Sequence, residues 1–500
     1  MTDSYQQLEQ RFKQLARIEH ALTFLQWDQH VMMPPGGNEA RSESIAELTV
    51  LHHEKLISHK TQDLIEKAGE GKLDHIQKCS VQEMQRTFLQ ASCLPTELVK
   101  AQSLAGTKCE HGWRRQRKDN DWPGFLKNFI EVVALTQEEA SIRQSVEPDR
   151  HKTPYDALLD LYCTGDSSEM ITDIFSQIKE ELPILLQEVL DKQGEYDQKC
   201  FTETFSIRQQ KLLNRELMSR LGFDFSKGRI DESSHPFSTG DRGDQRITTR
   251  FRENEFSDAL QATAHETGHA SYERGLPEQW DGLPLGQAVN MCIHESQSLL
   301  FEKQLFLSRS FTDFFTPIIH QHFPAIAKVD SGKLWEIMTR VKPSYIRVEA
   351  DEVTYPMHVI LRYEIERELI NGNLETKDMP ALWDEKMQSY LGLSTAGNYT
   401  DGCLQDIHWT DGSFGYFPSY TLGALNSSQI FGAIREEQSD WQERLERGDI
   451  SFVTEWLEKK IWCKGSILSS QDLLKSATGE GTNPSHFLRH IRDRYIDRLY

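Results

Sequence analysis

The residues His265-Glu266-Thr267-Gly268-His269 concentrate more chemistry than any other stretch of this chain. On a helix, two histidines at i and i+4 share one face about one turn apart, so both imidazoles can reach one ion. Glu266, one residue after the first histidine, projects beside that ion and can take a proton from its bound water. Zinc lowers the pKa of such a water from about 16 to about 7, so a carboxylate suffices as the base near neutral pH. The bland alternative is a helix whose histidines face solvent or satisfy buried hydrogen bonds. The small residues Ala262, Ala264, Gly268 and Ala270 favour close packing and weigh against it.

A catalytic zinc takes three protein ligands and keeps one position open. The segment at about 285–308 is apolar (Met291, Cys292, Ile293, Leu299, Leu300, Phe301) apart from His294-Glu295-Ser296-Gln297. Buried polar groups need partners, and Glu295 completing a site with His265 and His269 supplies one. His294 is the alternative ligand. The extended motif with a third histidine is absent, because Tyr272 and Gly275 stand at that spacing.

These residues need elements to position them. A helix over 258–274, with Ser257 as N-cap and Gly275 as the stop, would carry the histidines. Helical periodicity also predicts helices at 5–29, 39–70, 74–91, 121–146, 168–195, 203–221, 426–447 and 483–499. The segment 228–252 is rich in turn formers and then β-favouring from Arg246 to Phe251, which predicts a short strand or hairpin. An irregular loop is expected over 396–423, holding Trp409, Phe414, Tyr416 and Tyr420. No linker composition divides the chain, so we expect a single domain over 1–500 with two helical lobes flanking a cleft.

The bulk numbers exclude several functions. Asp and Glu number 77 against 56 Lys and Arg, a net charge of -21, which argues against nucleic-acid and anionic-membrane surfaces. No stretch approaches the roughly 20 apolar residues of a membrane span, and the polar start lacks a signal-peptide core. The eight cysteines are scattered without a C-x-x-C pair, so we expect reduced thiols and a cytoplasmic location.

Several blocks resemble those of the carboxypeptidase Taq family, also called the thermostable carboxypeptidase 1 family of zinc metallocarboxypeptidases. They are His235-Pro236-Phe237, Asp244-Gln245-Arg246-Ile247-Thr248, the histidine helix, His294-Glu295-Ser296-Gln297, Ile346-Arg347-Val348-Glu349-Ala350-Asp351, and Gly402-Cys403-Leu404-Gln405-Asp406-Ile407-His408-Trp409. Trp27-Asp28-Gln29 and Met33-Pro34 also fit, so the resemblance spans essentially the whole chain. It implies a mainly α fold related to neurolysin and angiotensin-converting enzyme, with a deep active-site cleft, a small β element and a homodimeric state. It further implies one zinc per chain, for which cobalt can substitute. The activity implied is release of C-terminal amino acids with broad specificity, not favouring terminal Pro.

Such an enzyme must hold a free α-carboxylate, for which an arginine fork is suited. Arg347 is the expected anchor and Arg246 its competitor; a structural ion pair of Arg347 with Asp351 or Glu349 is the plain alternative. For the oxyanion, His408 and Tyr420 are candidates, with Tyr416 next, against simple packing of the loop. Gln405 and Asp406 are expected to orient neighbours or substrate, and Asp351 to accept from a zinc-bound imidazole. His235 and Phe237 would line the substrate wall, and the strand at Ile247-Thr248-Thr249 would pair with an extended substrate. The competing functions are an oligoendopeptidase on the same scaffold and a non-catalytic protein with a structural metal.

Overall fold

Runs of Leu, Glu, Gln, Lys and Ala with apolar residues three or four apart fold into helices throughout. A computed structural model describes residues 4–194 and 203–499, 68% helix and 4% strand. The N-terminal half comprises α1 (Ser4–Val31), α2 (Asn38–Leu56), α3 (His59–Gly69), α4 (His75–Ser92), α5 (Thr96–Gln116), α6 (Trp122–Val146), α7 (Pro154–Leu159), α8 (Ser168–Gln193) and α9 (Ile207–Arg220). After a small sheet come α10 (Ser257–Gly275), α11 (Met291–Leu299), α12 (Arg309–His322), α13 (Ser331–Met338), α14 (Tyr355–Ile370) and α15 (Met379–Leu391). The chain closes with α16 (Pro418–Glu437), α17 (Trp441–Glu446), α18 (Ser451–Lys460), α19 (Ser470–Thr478) and α20 (Pro484–Ile491).

Several elements differ from the sequence reading: the helix expected over 426–447 is broken between α16 and α17, and α7, α12, α13, α15, α18 and α19 lie outside the expected helices. The helix expected over 39–70 breaks at Ser58, whose hydroxyl caps α3 by accepting from Thr61 N and also accepts from Arg11. α5 was not foreseen; it starts directly after Pro95. α16 begins inside the expected loop, with Pro418 in its first turn, where the missing N–H costs nothing. The segment at 285–308 becomes helical only at Met291, capped by Asn290, and turns into a π-helix at Leu300–Phe306. A second π-helix, Arg492–Ile496, continues α20.

The sheet contains β1 (Gly228–Glu232), β2 (Phe237–Asp241) and β3 (Asp244–Thr249) in the order β1-β3-β2. β2 and β3 form the expected hairpin, and β1 runs parallel to β3. This corrects one expectation. β3, which carries Ile247-Thr248-Thr249, is the central strand with a partner on each side, so it has no edge for a substrate to join. Ile247 points instead into a small core with Ala270 of α10, which ties the sheet to the histidine helix.

Two large apolar cores dominate, one around α6, α8 and α14, the other around α10, α12 and α18. α11 contributes Cys292 to the first and Ile293 to the second; α16 divides Leu422 and Leu425 from Ile430 and Phe431 in the same way. The helix bearing Glu295 is thus clamped from both sides. The seven described cysteines are free thiols, while Cys200 lies outside the described residues. No described helix is long and apolar enough to cross a membrane.

Candidate metal centre

α10 presents His265 and His269 on one face, as the i, i+4 spacing requires. Its start differs from expectation: Ser257 is the first helical residue, and the capping group is the Glu255 carboxylate, accepting from Ser257 N at 2.7 Å, Ser257 Oγ at 2.6 Å and Asp258 N at 2.7 Å. Gly275 ends the helix as read. α11 crosses close by because Gly268 has no side chain; a Cβ there would lie 2.6 Å from Gln297 O and from Ser298 Cα.

That approach brings Glu295 to the histidines. Its Oε1 is 3.7 Å from His265 Nε2 and its Oε2 3.5 Å from His269 Nε2. One ligand atom from each residue lies within 4.8 Å of the others. Two bonds of about 2.0–2.1 Å meeting at a tetrahedral angle would put donors roughly 3.4 Å apart, so the three side chains fit a zinc-sized ion.

The opposite ring nitrogens are committed elsewhere, which leaves both Nε2 atoms facing inward. His265 Nδ1 bonds Glu302 at 2.9 Å. His269 Nδ1 meets His294 Nδ1 at 2.6 Å, and His294 Nε2 meets Glu273 at 2.8 Å. His294 therefore stands behind His269. The expectation that Asp351 accepts from a ligand imidazole is corrected: its carboxylate is spent on Lys342 N, Val353 N and Thr354. The carboxylate that meets His265 Nδ1 is Glu302. Its signal in the sequence was a glutamate seven residues beyond Glu295, directly after the apolar run Leu299-Leu300-Phe301.

Electrostatics follow from this enclosure. Burial pushes Glu266 up to about 7, with the carboxylates of Glu295 and Glu302 adding to it against the opposing His265. Burial disfavours the His265 cation, but Glu295 and Glu302 outweigh it and raise His265 to about 9. Burial, helped by His294, lowers His269 to about 4.

Beside these three side chains lies an aromatic wall from α14, the loop before α16, and α16 itself. Tyr416 and Tyr420 meet edge to face at 5.1 Å, and Tyr420 meets Tyr355 at 5.9 Å. Tyr355 and Tyr420 are within electrostatic reach of both Glu295 and Arg347. Tyr355 was not singled out from sequence; its place one helical start after Asp351 hid it. The loop itself is fastened by Trp409, whose indole donates to Glu366 at 2.7 Å.

Arg347 pairs with Asp406, not with Asp351 or Glu349. Its Nε and Nη2 each lie 2.9 Å from Asp406 Oδ2, and Nη1 donates to Tyr355 Oη at 3.0 Å. Asp406 is further held by Arg362 at 3.0 Å and by His408. Gln405 accepts from Arg347 N at 2.8 Å and donates to Tyr345 O and Asp401 O, so its carboxamide is spent on the backbone. His408 stacks nearly parallel to Tyr416 with centroids 6.2 Å apart.

Arg246 sits apart from this group. It forms a two-point pair with Asp244 and covers the Trp27 ring at 4.4 Å. His235 is exposed, and Phe237 meets His30 of α1 edge-on. Arg246 and Phe237 face the N-terminal helix.

Comparison with known proteins agrees along the full length. The family model described as carboxypeptidase Taq (M32) metallopeptidase matches residues 7–495. The chain belongs to that family. It is 34% identical to thermostable carboxypeptidase 1 of Thermus thermophilus, with 98% of each chain covered, and 33% identical to carboxypeptidase 1 of Bacillus subtilis, with 97% of each covered. The structure of Trypanosoma cruzi metallocarboxypeptidase 1 superposes with a TM-score of 0.95 at 39% identity, covering 99% of this chain and 100% of that one. As an M32 carboxypeptidase, the protein is a metal-dependent peptide hydrolase with a mainly helical fold.

Proposed function

We propose that the protein is a zinc-dependent carboxypeptidase that releases C-terminal residues from peptides with broad specificity, disfavouring terminal Pro. The observation carrying this reading is the convergence of His265 Nε2 and His269 Nε2 on the Glu295 carboxylate, with the Arg347 fork linked to that carboxylate through Tyr355 and Tyr420. His265, His269 and Glu295 would hold a zinc ion there, and that ion would supply Lewis-acid chemistry, lowering the pKa of a water and polarising the scissile carbonyl. Cobalt would serve in its place.

Glu266 takes the proton of the attacking water and delivers it to the departing amine. Asp406 occupies the side of the Arg347 guanidinium formed by Nε and Nη2. An N–H on each terminal nitrogen is left to grip a carboxylate at two points. Tyr420 or His408 donates to the oxyanion, with Tyr416 packed between them. Gln405 holds the Arg347 backbone. His235, Phe237 and Arg246 line the far wall, toward α1.

In this reading, residues 1–500 form one domain of two helical lobes with the centre in the cleft between them. The enzyme works in the cytoplasm as a homodimer. Mass spectrometry of a digested peptide tests the activity. Sequential loss from the C-terminus, stopped by chelator and by C-terminal amidation, is the expected result. Internal cleavage indifferent to amidation would identify an oligoendopeptidase instead.

A further inference from the structure

The ligand shell continues outward along a route that the proposed reaction does not use. Glu302, which bonds His265 Nδ1 through Oε2, binds Lys303 Nζ through Oε1 at 2.6 Å. Both side chains are largely buried, at 11% and 19% exposure. Adjacent residues on an α-helix point about 100° apart; here both lie in the π-helix Leu300–Phe306, whose wider turn sets them in one ion pair. The backbone is held from the other side. Arg494 donates to Lys303 O at 2.6 Å and to Glu352 Oε2 at 3.0 Å, and Tyr495 Oη donates to the same oxygen at 2.9 Å. Arg494 and Tyr495 belong to the second π-helix, at the end of the chain.

We propose that Lys303 is a positioning residue of the metal centre. It fixes the Glu302 carboxylate so that the His265 ring is held with Nδ1–H outward and Nε2 inward, and the C-terminal π-helix locks Lys303 in place. A carboxylate behind a ligand histidine fixes ring orientation and tautomer, and its loss typically weakens metal binding about 10–100-fold. A carboxylate free to rotate gives up part of that hold. Lys303 touches neither substrate nor reacting atoms, so its effect runs only through Glu302.

This inference rests on His265 being a metal ligand, and the experiment separates the two. Zinc affinity of the full-length chain is measured by competition with a chromophoric chelator, alongside thermal unfolding of the metal-free form. His265→Ala tests the site: zinc binding unchanged there would remove the reading beneath the proposal. With the site confirmed, Lys303→Met should weaken zinc about 10-fold, in a metal-free form that melts lower than the parent but still folds. Lys303→Arg should restore most of the affinity. In a Glu302→Gln background, Lys303→Met should have no further effect, because the link it acts through is gone. An unchanged affinity in Lys303→Met, an undiminished effect in the Glu302→Gln background, or a metal-free form that no longer folds would overturn the proposal. The last would make Lys303 a structural residue only.

Discussion

Glu295 rests directly on Gly423: a Cβ built on Gly423 would lie 2.6 Å from the Cγ and 2.7 Å from the Cβ of the glutamate. The space beside this proposed ligand is therefore set by a residue on α16, in the helix after the aromatic loop. Gly423→Ala should push Glu295 off its position. Overpacking of a filled interior costs about 1–3 kcal/mol, so metal affinity should fall about 5- to 150-fold. Isothermal titration with zinc checks this, and circular dichroism confirms that the helices remain.

Glu266→Gln keeps the shape of the side chain and removes its basicity. Turnover should fall about 10²- to 10⁴-fold, with zinc affinity changed only a few-fold. Parallel measurement of kcat and of bound metal separates these. Full activity in the variant would rule out Glu266 as the base.

Arg347→Met should reduce kcat/KM on free-acid peptides by at least about 10², the cost of truncating one side of a buried charge-assisted contact. It should also erase the preference for a free over an amidated C-terminus. Arg347→Lys should not rescue either effect, since an ammonium cannot replace the planar fork. Arg246→Met provides the contrast. Its pair with Asp244 over Trp27 lies toward α1, so the free-acid preference should survive it. Loss of that preference in Arg246→Met alone would move the anchor.

Glu352 makes stability depend on acid. Burial pushes its carboxyl up, but His490 and Arg494 outweigh this and hold it well below the ordinary range. Burial lowers His490 itself, so Arg494 is the partner that stays charged throughout. At pH 7 the carboxyl is ionised in folded and unfolded chains alike, and its full contribution is present. As pH falls below about 4.5, the unfolded chain takes up a proton that the folded one refuses, and that stability drains away. Glu352→Gln should lower the urea midpoint at pH 7 and flatten its decline between pH 4.5 and 3. The difference in slope should approach one proton, about 1.4 kcal/mol per pH unit. Parallel curves for the two proteins would contradict this.

What could be read from the chain alone followed from periodicity and short-range motif chemistry. The i, i+4 histidines, the polar quartet around Glu295 and the helical class needed only local spacing. Helix limits were harder wherever a tertiary contact decided them. Ser58 breaks a continuous helical pattern because its hydroxyl serves Arg11, forty-seven positions away. Asp351 was given the role of Glu302 because both are acids near the right blocks. Only the fold shows that Asp351 is consumed by backbone N–H groups and that a π-turn aims Glu302 at His265. Tyr355 carries no motif, and its relation to Arg347 exists only once α14 has folded against the loop of Asp406.

The three residues that would take the ion leave the ribosome together, and Gly423 follows Glu295 by about a quarter of the chain. A nascent polypeptide thus exposes a complete donor set long before it owns the surface that disciplines one member of it. Domains form during synthesis from the N-terminal side, so early metal capture would be loose and exchangeable. Tight loading then becomes a property of the released protein, and chains stalled after Glu295 has emerged but before Gly423 is added should surrender their metal to a mild chelator.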